Sequence, residues 1–128
     1  MFVSSESAVN IPKEMPDYGM TKTAQLAISR GLAEAVAGIG VTVNAVLPGL
    51  TRSEILGDLM AQQAAAEGIT QEEAEQRFVA TLRPTSLIRR FTSIGEVANL
   101  IVNTCSEQAS GTTGAALRVD GGVVRFGA

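Results

Sequence analysis

The sequence contains no histidine, no tryptophan, one tyrosine and one cysteine in 128 residues. Without histidine there is no His-based catalytic triad, no His-ligated metal and no imidazole proton transfer. Cys105 alone can form neither an internal disulfide nor a thiolate-rich metal site, so no metal is expected. No apolar run reaches the roughly 18 residues that a membrane span needs. Nor does a basic segment followed by an apolar one mark a secretory signal. Positive charge is also scarce: ten Lys and Arg stand against thirteen Asp and Glu, a net charge of −3. That balance argues against a nucleic-acid partner, which demands a concentrated basic face. The expected setting is the reducing cytoplasm, with neither membrane nor nucleic acid as partner. Chemistry is left to Ser, Thr, Tyr, Lys, Arg, the carboxylates or a borrowed cofactor.

What is present reads as one globular unit, 45% hydrophobic and 18% charged with a mean hydropathy of +0.20. Met1 to Ser5 looks like the end of a strand, and Ser7 to Asp17, with Pro12 and Pro16, like a loop. Asp17 is placed to cap a helix over about 18–37, where Met20, Ala24, Ala27, Ile28, Gly31 and Ala35 recur at helical spacing. Gly38 and Gly40 stop it. Val41 to Leu47 is a β-branched strand closed by Pro48-Gly49. A helical stretch over 53–66 is interrupted by Gly68. Thr70 with Glu73, and Ser93 with Glu96, are capping boxes that open helices to about Leu82 and Glu107. The second of these buries Val97, Leu100, Ile101 and Cys105. A last strand, 115–119, turns at Asp120-Gly121-Gly122. This alternation is that of an open parallel α/β sheet, although three strands are few for one.

Tyr18 and Lys22 lie four apart, hence on one face of their helix. An ammonium about 5 Å from a phenol favours the phenolate by about 3 kcal/mol at an effective dielectric of about 20. Such a pair suits proton transfer near neutral pH. Ser5 stands thirteen residues earlier at the strand end, where a hydroxyl can bond the oxygen that the phenol protonates. The segments Asn44 to Gly49 and Asp120 to Gly122 end the other two strands. Ligands of open α/β sheets bind outside the carboxyl ends of the strands, so all three clusters converge on one edge.

The order Ser5, Tyr18-x-x-x-Lys22, Asn44 to Gly49 and Thr113 to Gly122 resembles the short-chain dehydrogenase/reductases over nearly the whole chain. The resemblance implies an α/β Rossmann-type three-layer parallel sheet that lacks the N-terminal mononucleotide-binding half. Residues 1–128 would then be the C-terminal part of one domain, with a mobile substrate lid at about 51–83. It further implies hydride transfer between NAD or NADP and a carbonyl or alcohol substrate. Tyr18 would be the acid/base, Ser5 would steady the substrate oxygen, and Lys22 would favour the ionised phenol and bond the nicotinamide ribose. Pro48, Gly49, Thr51 and Ser53 would meet the nicotinamide end of the cofactor. A homo-oligomer through helix 18–37 and the C-terminal strand is the expected assembly.

The glycine-rich turn that cradles a pyrophosphate has no counterpart here. Gly38-Ile39-Gly40 follows a helix rather than a strand. A second expectation therefore stands beside the enzyme: a catalytically silent remnant acting as an assembly module. A third is complementation by a separately encoded N-terminal half docking on the open sheet edge, which is otherwise prone to association. Arg89-Arg90 is expected to be solvated or bonded to a helix end.

Overall fold

The computed structural model describes residues 1–126. Three parallel strands, β1 (Phe2–Val3), β2 (Ala45–Pro48) and β3 (Ala116–Val119), form a sheet in that order. Phe2 stands opposite Ala45, and Ala45 to Pro48 run opposite Ala116 to Val119. The helices are α1 (Pro16–Ala35), α2 (Glu54–Glu67), α3 (Gln71–Leu82) and α4 (Ile94–Thr104), with 3-10 turns at Glu6–Ala8 and Glu107–Ala109. This is the parallel α/β sheet expected from the alternation of elements.

Several boundaries differ, each for a local reason. Helix α1 starts at Pro16, with Met15 as an N-cap that makes no side-chain bond. Asp17 therefore lies inside the first turn rather than capping it, because proline at the first helical position has its φ already set. The loop expected over 7–17 instead begins with the 3-10 turn, whose N-cap is Ser5. Strand β2 is shorter than the β-branched run. Before it, Val43 N–H donates to Thr113 Oγ1, and the buried Asn44 side chain bonds Thr112 O and Ala115 N–H, so side chains replace part of the ladder. Helix α4 ends at Thr104, leaving Cys105 as an exposed C-cap rather than a core residue. Val97, Leu100 and Ile101 are only half-buried.

Both capping boxes form as expected. In α3 the Thr70 hydroxyl accepts from Glu73 N–H while Glu73 takes the Thr70 N–H, and in α4 Ser93 and Glu96 exchange the same bonds. Arg90 adds two guanidinium bonds to Glu96, of 3.0 and 2.8 Å, so this arginine does serve a helix start.

Two apolar clusters hold the chain. Val43, Ala45, Val46 and Leu47 fill the sheet layer. Met60, Ala64, Ala74, Val79 and Phe91 form a second core with Leu50, Leu56, Ile69 and Phe78 around it. Phe78 meets Phe91 edge-on at 5.8 Å, a favoured aromatic geometry. Residues 51–83 are thus a helix pair with a core of its own, closed by Phe91 from the segment that follows.

The ends of β2 and β3 pack backbone to backbone at Gly49. A Cβ there would lie 2.8 Å from Asp120 Cα and 2.9 Å from Asp120 O, and neither atom can swing aside. Gly49→Ala is expected to lower the unfolding free energy by about 1–3 kcal/mol in chemical denaturation, as overpacking does. A second expectation concerns acid. The Arg90 guanidinium first, and the Ser93 backbone N–H next, hold the exposed Glu96 carboxyl down from its ordinary 4.5 to about 2. A lowered folded-state value contributes stability that is present above the ordinary value and is lost as pH falls toward 2. The gap in denaturation midpoint between wild type and Glu96→Gln should therefore be open at pH 6 and closed by pH 2.

Candidate active site

The first two turns of α1 are stitched to the segment after β1 that carries Ser5. Ser4 Oγ donates to Lys22 O at 2.9 Å, and Thr23 Oγ1 lies 2.7 Å from Ala8 O and 2.8 Å from Gly19 O. Gly19 makes the approach close: a Cβ on it would sit 3.2 Å from Ser7 O and under 3 Å from the Ile11 side chain. Lys22 Nζ reaches Val3 O at 3.4 Å and lies 5.5 Å from the Tyr18 ring centroid. Tyr18, Lys22 and the end of β1 are therefore brought together, as the four-residue spacing predicts.

Ser5 is 8% exposed, and its hydroxyl accepts Ser7 N–H at 3.2 Å. That bond caps the 3-10 turn and leaves the hydroxyl proton free to donate. Tyr18 is 39% exposed, so its ring stands at the surface of the first turn. The other expected cluster lies at the end of β2. Pro48 is the last residue of β2, and Gly49 N–H donates to Val119 O at 3.2 Å. Thr51 Oγ1 donates to Gly49 O or shares its proton with Thr92 Oγ1, both at 3.1 Å, and Thr51 also bridges Thr92 as a parallel pair. Ser53 spends its hydroxyl on the Leu56 N–H at the start of α2. The hydroxyls of Thr51 and Ser53 thus shape the shelf they belong to. Asp120 takes Gly122 and Val124 N–H on its two oxygens, which fixes the turn after β3.

Reading by local pattern passes over Gly19, Thr23, Glu6 and Arg83. The glycine directly after Tyr18 is the one usable signal, because Gly in a first helical turn hints at a close neighbour. Glu6 and Arg83 form a buried ion pair at 2.7 Å across 77 residues of sequence, and no local pattern announces such a pair.

Comparison with known proteins gives this geometry its context. A family model described as enoyl-(acyl carrier protein) reductase matches residues 1–124. The chain belongs to the short-chain dehydrogenase/reductases. Among curated members of that family, it is 44% identical over 125 residues to the oxidoreductase YvaG of Bacillus subtilis (strain 168), covering 98% of this chain and 47% of YvaG. It is 36% identical over 119 residues to an A-factor type gamma-butyrolactone 1'-reductase (1S-forming) of Streptomyces virginiae, covering 93% of this chain and 41% of that protein. The crystal structure of L-sorbose reductase from Gluconobacter frateurii with NADPH and L-sorbose superposes with a TM-score of 0.84 at 30% identity, covering 97% of this chain and 46% of that one. The chain spans about half the length of the short-chain dehydrogenase/reductases it matches.

The seam between α1 and β1 can be loosened without changing its shape. Thr23→Val removes the hydroxyl and keeps the volume, leaving Ala8 O without its donor. A loss of about 1 kcal/mol in unfolding free energy is expected, and calorimetry of the pair of proteins measures it.

Proposed function

We propose that this chain supplies the acid/base and nicotinamide-facing wall of an NAD- or NADP-dependent oxidoreductase acting on a carbonyl or alcohol. The observation that carries the proposal is the pairing of the Tyr18 ring with the Lys22 ammonium at 5.5 Å, on a helix stitched to the strand end bearing Ser5. The family assignment and the NADPH-containing L-sorbose reductase structure support the same reading.

The available donors fit the nicotinamide end of such a cofactor. Lys22 carries three N–H donors, of which Val3 O occupies one. Pro48, Gly49, Thr51 and Ser53 form the facing shelf. When bound, the cofactor supplies the hydride, which no side chain can carry. Tyr18 would hold the proton that passes to or from the substrate oxygen, and Lys22 would place positive charge beside the phenol. Ser5 would donate its free hydroxyl proton to the same oxygen, where charge develops in the transition state. Residues 51–83 would cover the substrate, a small carbonyl or alcohol. We keep the cytoplasmic setting within this proposal, because the one cysteine has no intrachain partner. Among the described residues no helix is long and apolar enough to cross a membrane.

A second reading, an assembly module, has one observation in its favour. Met20, Ile28 and Leu32 of α1 are exposed, Met20 by 65% and Ile28 by 55%, with Ala24, Ala27 and Gly31 beside them. That face is suited to a helix of a second copy, so both readings include a homo-oligomer through α1 and the C-terminal strand.

Nucleotide fluorescence and turnover separate the readings. The enzyme reading expects NADH or NADPH binding, and expects Tyr18→Phe to lower kcat by about 10²–10⁴-fold while nucleotide binding persists. Turnover unchanged in Tyr18→Phe would remove Tyr18 from the mechanism. Failure to bind either nucleotide would leave the assembly reading.

A further inference from the structure

Two ion pairs outside the Ser5, Tyr18 and Lys22 cluster share one helix. Arg52, between the shelf residues Thr51 and Ser53, pairs with Glu75 in the middle of α3, and the Glu75 side chain is only 4% exposed. Arg83, the C-cap residue of α3, pairs with Glu6, the residue after Ser5, and both side chains are buried at 8% and 3%. Arg83 also donates to Leu82 O at 2.8 Å and faces Glu14, in the loop before α1, at 3.7 Å. Glu75 and Arg83 are eight residues apart, about 12 Å along a helix.

We propose that α3 is a positioning strut for the reaction, with Glu75 and Arg83 as its two anchors. It sets the cofactor shelf against the Ser5 loop through Arg52–Glu75 at its middle and Arg83–Glu6 at its C-terminal end. This rests on the function proposed above and assigns positioning roles to residues outside the Ser5, Tyr18 and Lys22 positions.

Burial gives the strut its stiffness. Glu6 Oε2 is buried without a hydrogen-bond partner among the described residues, so Arg83 is the one counter-charge in contact with that carboxylate. A buried carboxylate that loses its counter-charge must move toward water or take a proton. Either response displaces the 3-10 turn, because Val9 and Asn10 N–H both donate to Glu6 O while Ser7 and Ala8 N–H donate to Ser5 Oγ and O. The position of Ser5 thus follows the end of α3. At the far anchor only Glu75 is buried and the Arg52 side chain is half exposed, but Arg52 N–H donates to Thr92 O and Ser53 caps α2, so a shift of Arg52 moves the shelf.

Amide hydrogen exchange on the 128-residue chain tests the mechanical claim without any ligand. Glu75→Gln touches none of residues 7–10, yet should speed exchange there on the order of tenfold, as well as at 52–56. Acceleration confined to 52–56 and 71–79 would overturn the strut. Arg83→Met should speed the same two segments, and if that protein does not fold, Glu75→Gln still decides. Glu6→Gln/Arg83→Met removes both charges at the second anchor. It should regain the melting temperature lost in Arg83→Met while exchange at 7–10 stays fast. Recovery of both would assign the pair to stability alone and end the proposal.

Turnover with NADPH and a β-keto ester reads the chemical consequence. The double variant should lose on the order of 10–100-fold in kcat with KM changed less than about threefold, and full wild-type kcat in it would also overturn the role. A wild-type chain with no turnover on any carbonyl counts against the proposed function, while the exchange experiment still decides the strut.

Discussion

The close approach of α1 to the end of β1 is the constraint on which the candidate site depends. Gly19 permits it, since any side chain there would run into Ser7 O and Ile11. Ser4 and Thr23 then fasten the seam with hydroxyl bonds to carbonyls of the opposite element. A hydroxyl that bonds a carbonyl 15 or 18 residues away is worth only about 1 kcal/mol, yet it fixes register as well as distance. Shifted by one residue, α1 would turn about 100° and carry Tyr18 and Lys22 away from Val3 together. The glycine and two hydroxyls therefore set the register in which Tyr18 and Lys22 meet the chain after β1.

A different balance governs residues 51–83. Their helix pair leaves Ile55 and Leu59 on its outer side and relies for cohesion on its own buried cluster of Met60, Ala64, Ala74, Val79 and Phe91. Full burial of a Met, Val or Phe side chain contributes about 1.5–3 kcal/mol, so Met60, Val79 and Phe91 dominate the cohesion of this part. The ion pairs at its borders are less a source of stability than of direction. A buried pair roughly breaks even against apolar packing, whereas one left without its partner costs about 3–5 kcal/mol. Apolar contacts hold the helices together, and the carboxylates of Glu6 and Glu75 tell them where to sit.

How much of this was legible in the sequence depends on the range of the interaction. The capping boxes at Thr70 and Ser93 were readable in full, because the bonds close within three residues and the chemistry is local. The pairing of Tyr18 with Lys22 was readable, since a four-residue spacing sets both on one helix face. The start of α1 was misread from Asp17, because Pro16 begins a helix without a side-chain cap. The burial of Cys105 was misread as well: α4 keeps an apolar pattern to its last turn, but the chain leaves the helix one residue earlier. The 3-10 turn after Ser5 and the Glu6–Arg83 pair left no trace in spacing or periodicity. The pair spans 77 residues, and only the folded chain brings it together. The turn's bonds are local but rest on Ser and Glu, which form turns and caps alike.

These ranges also bear on what half the length of a relative can retain. The seam between α1 and the end of β1 is built from contacts within residues 1–25, closed by β2, and so is internal to the chain. The shelf is internal too, held by Thr92 and by Asp120 against Gly49. A phosphate cradle is different in kind, because its donors are backbone N–H groups at the start of a helix following a glycine-rich turn. Nothing in residues 41–53 or 111–122 has that form: the first leads through Pro48-Gly49 into a serine-capped helix, and the second turns through Asp120. The nicotinamide end and the pyrophosphate end of a dinucleotide thus make separable demands on the protein.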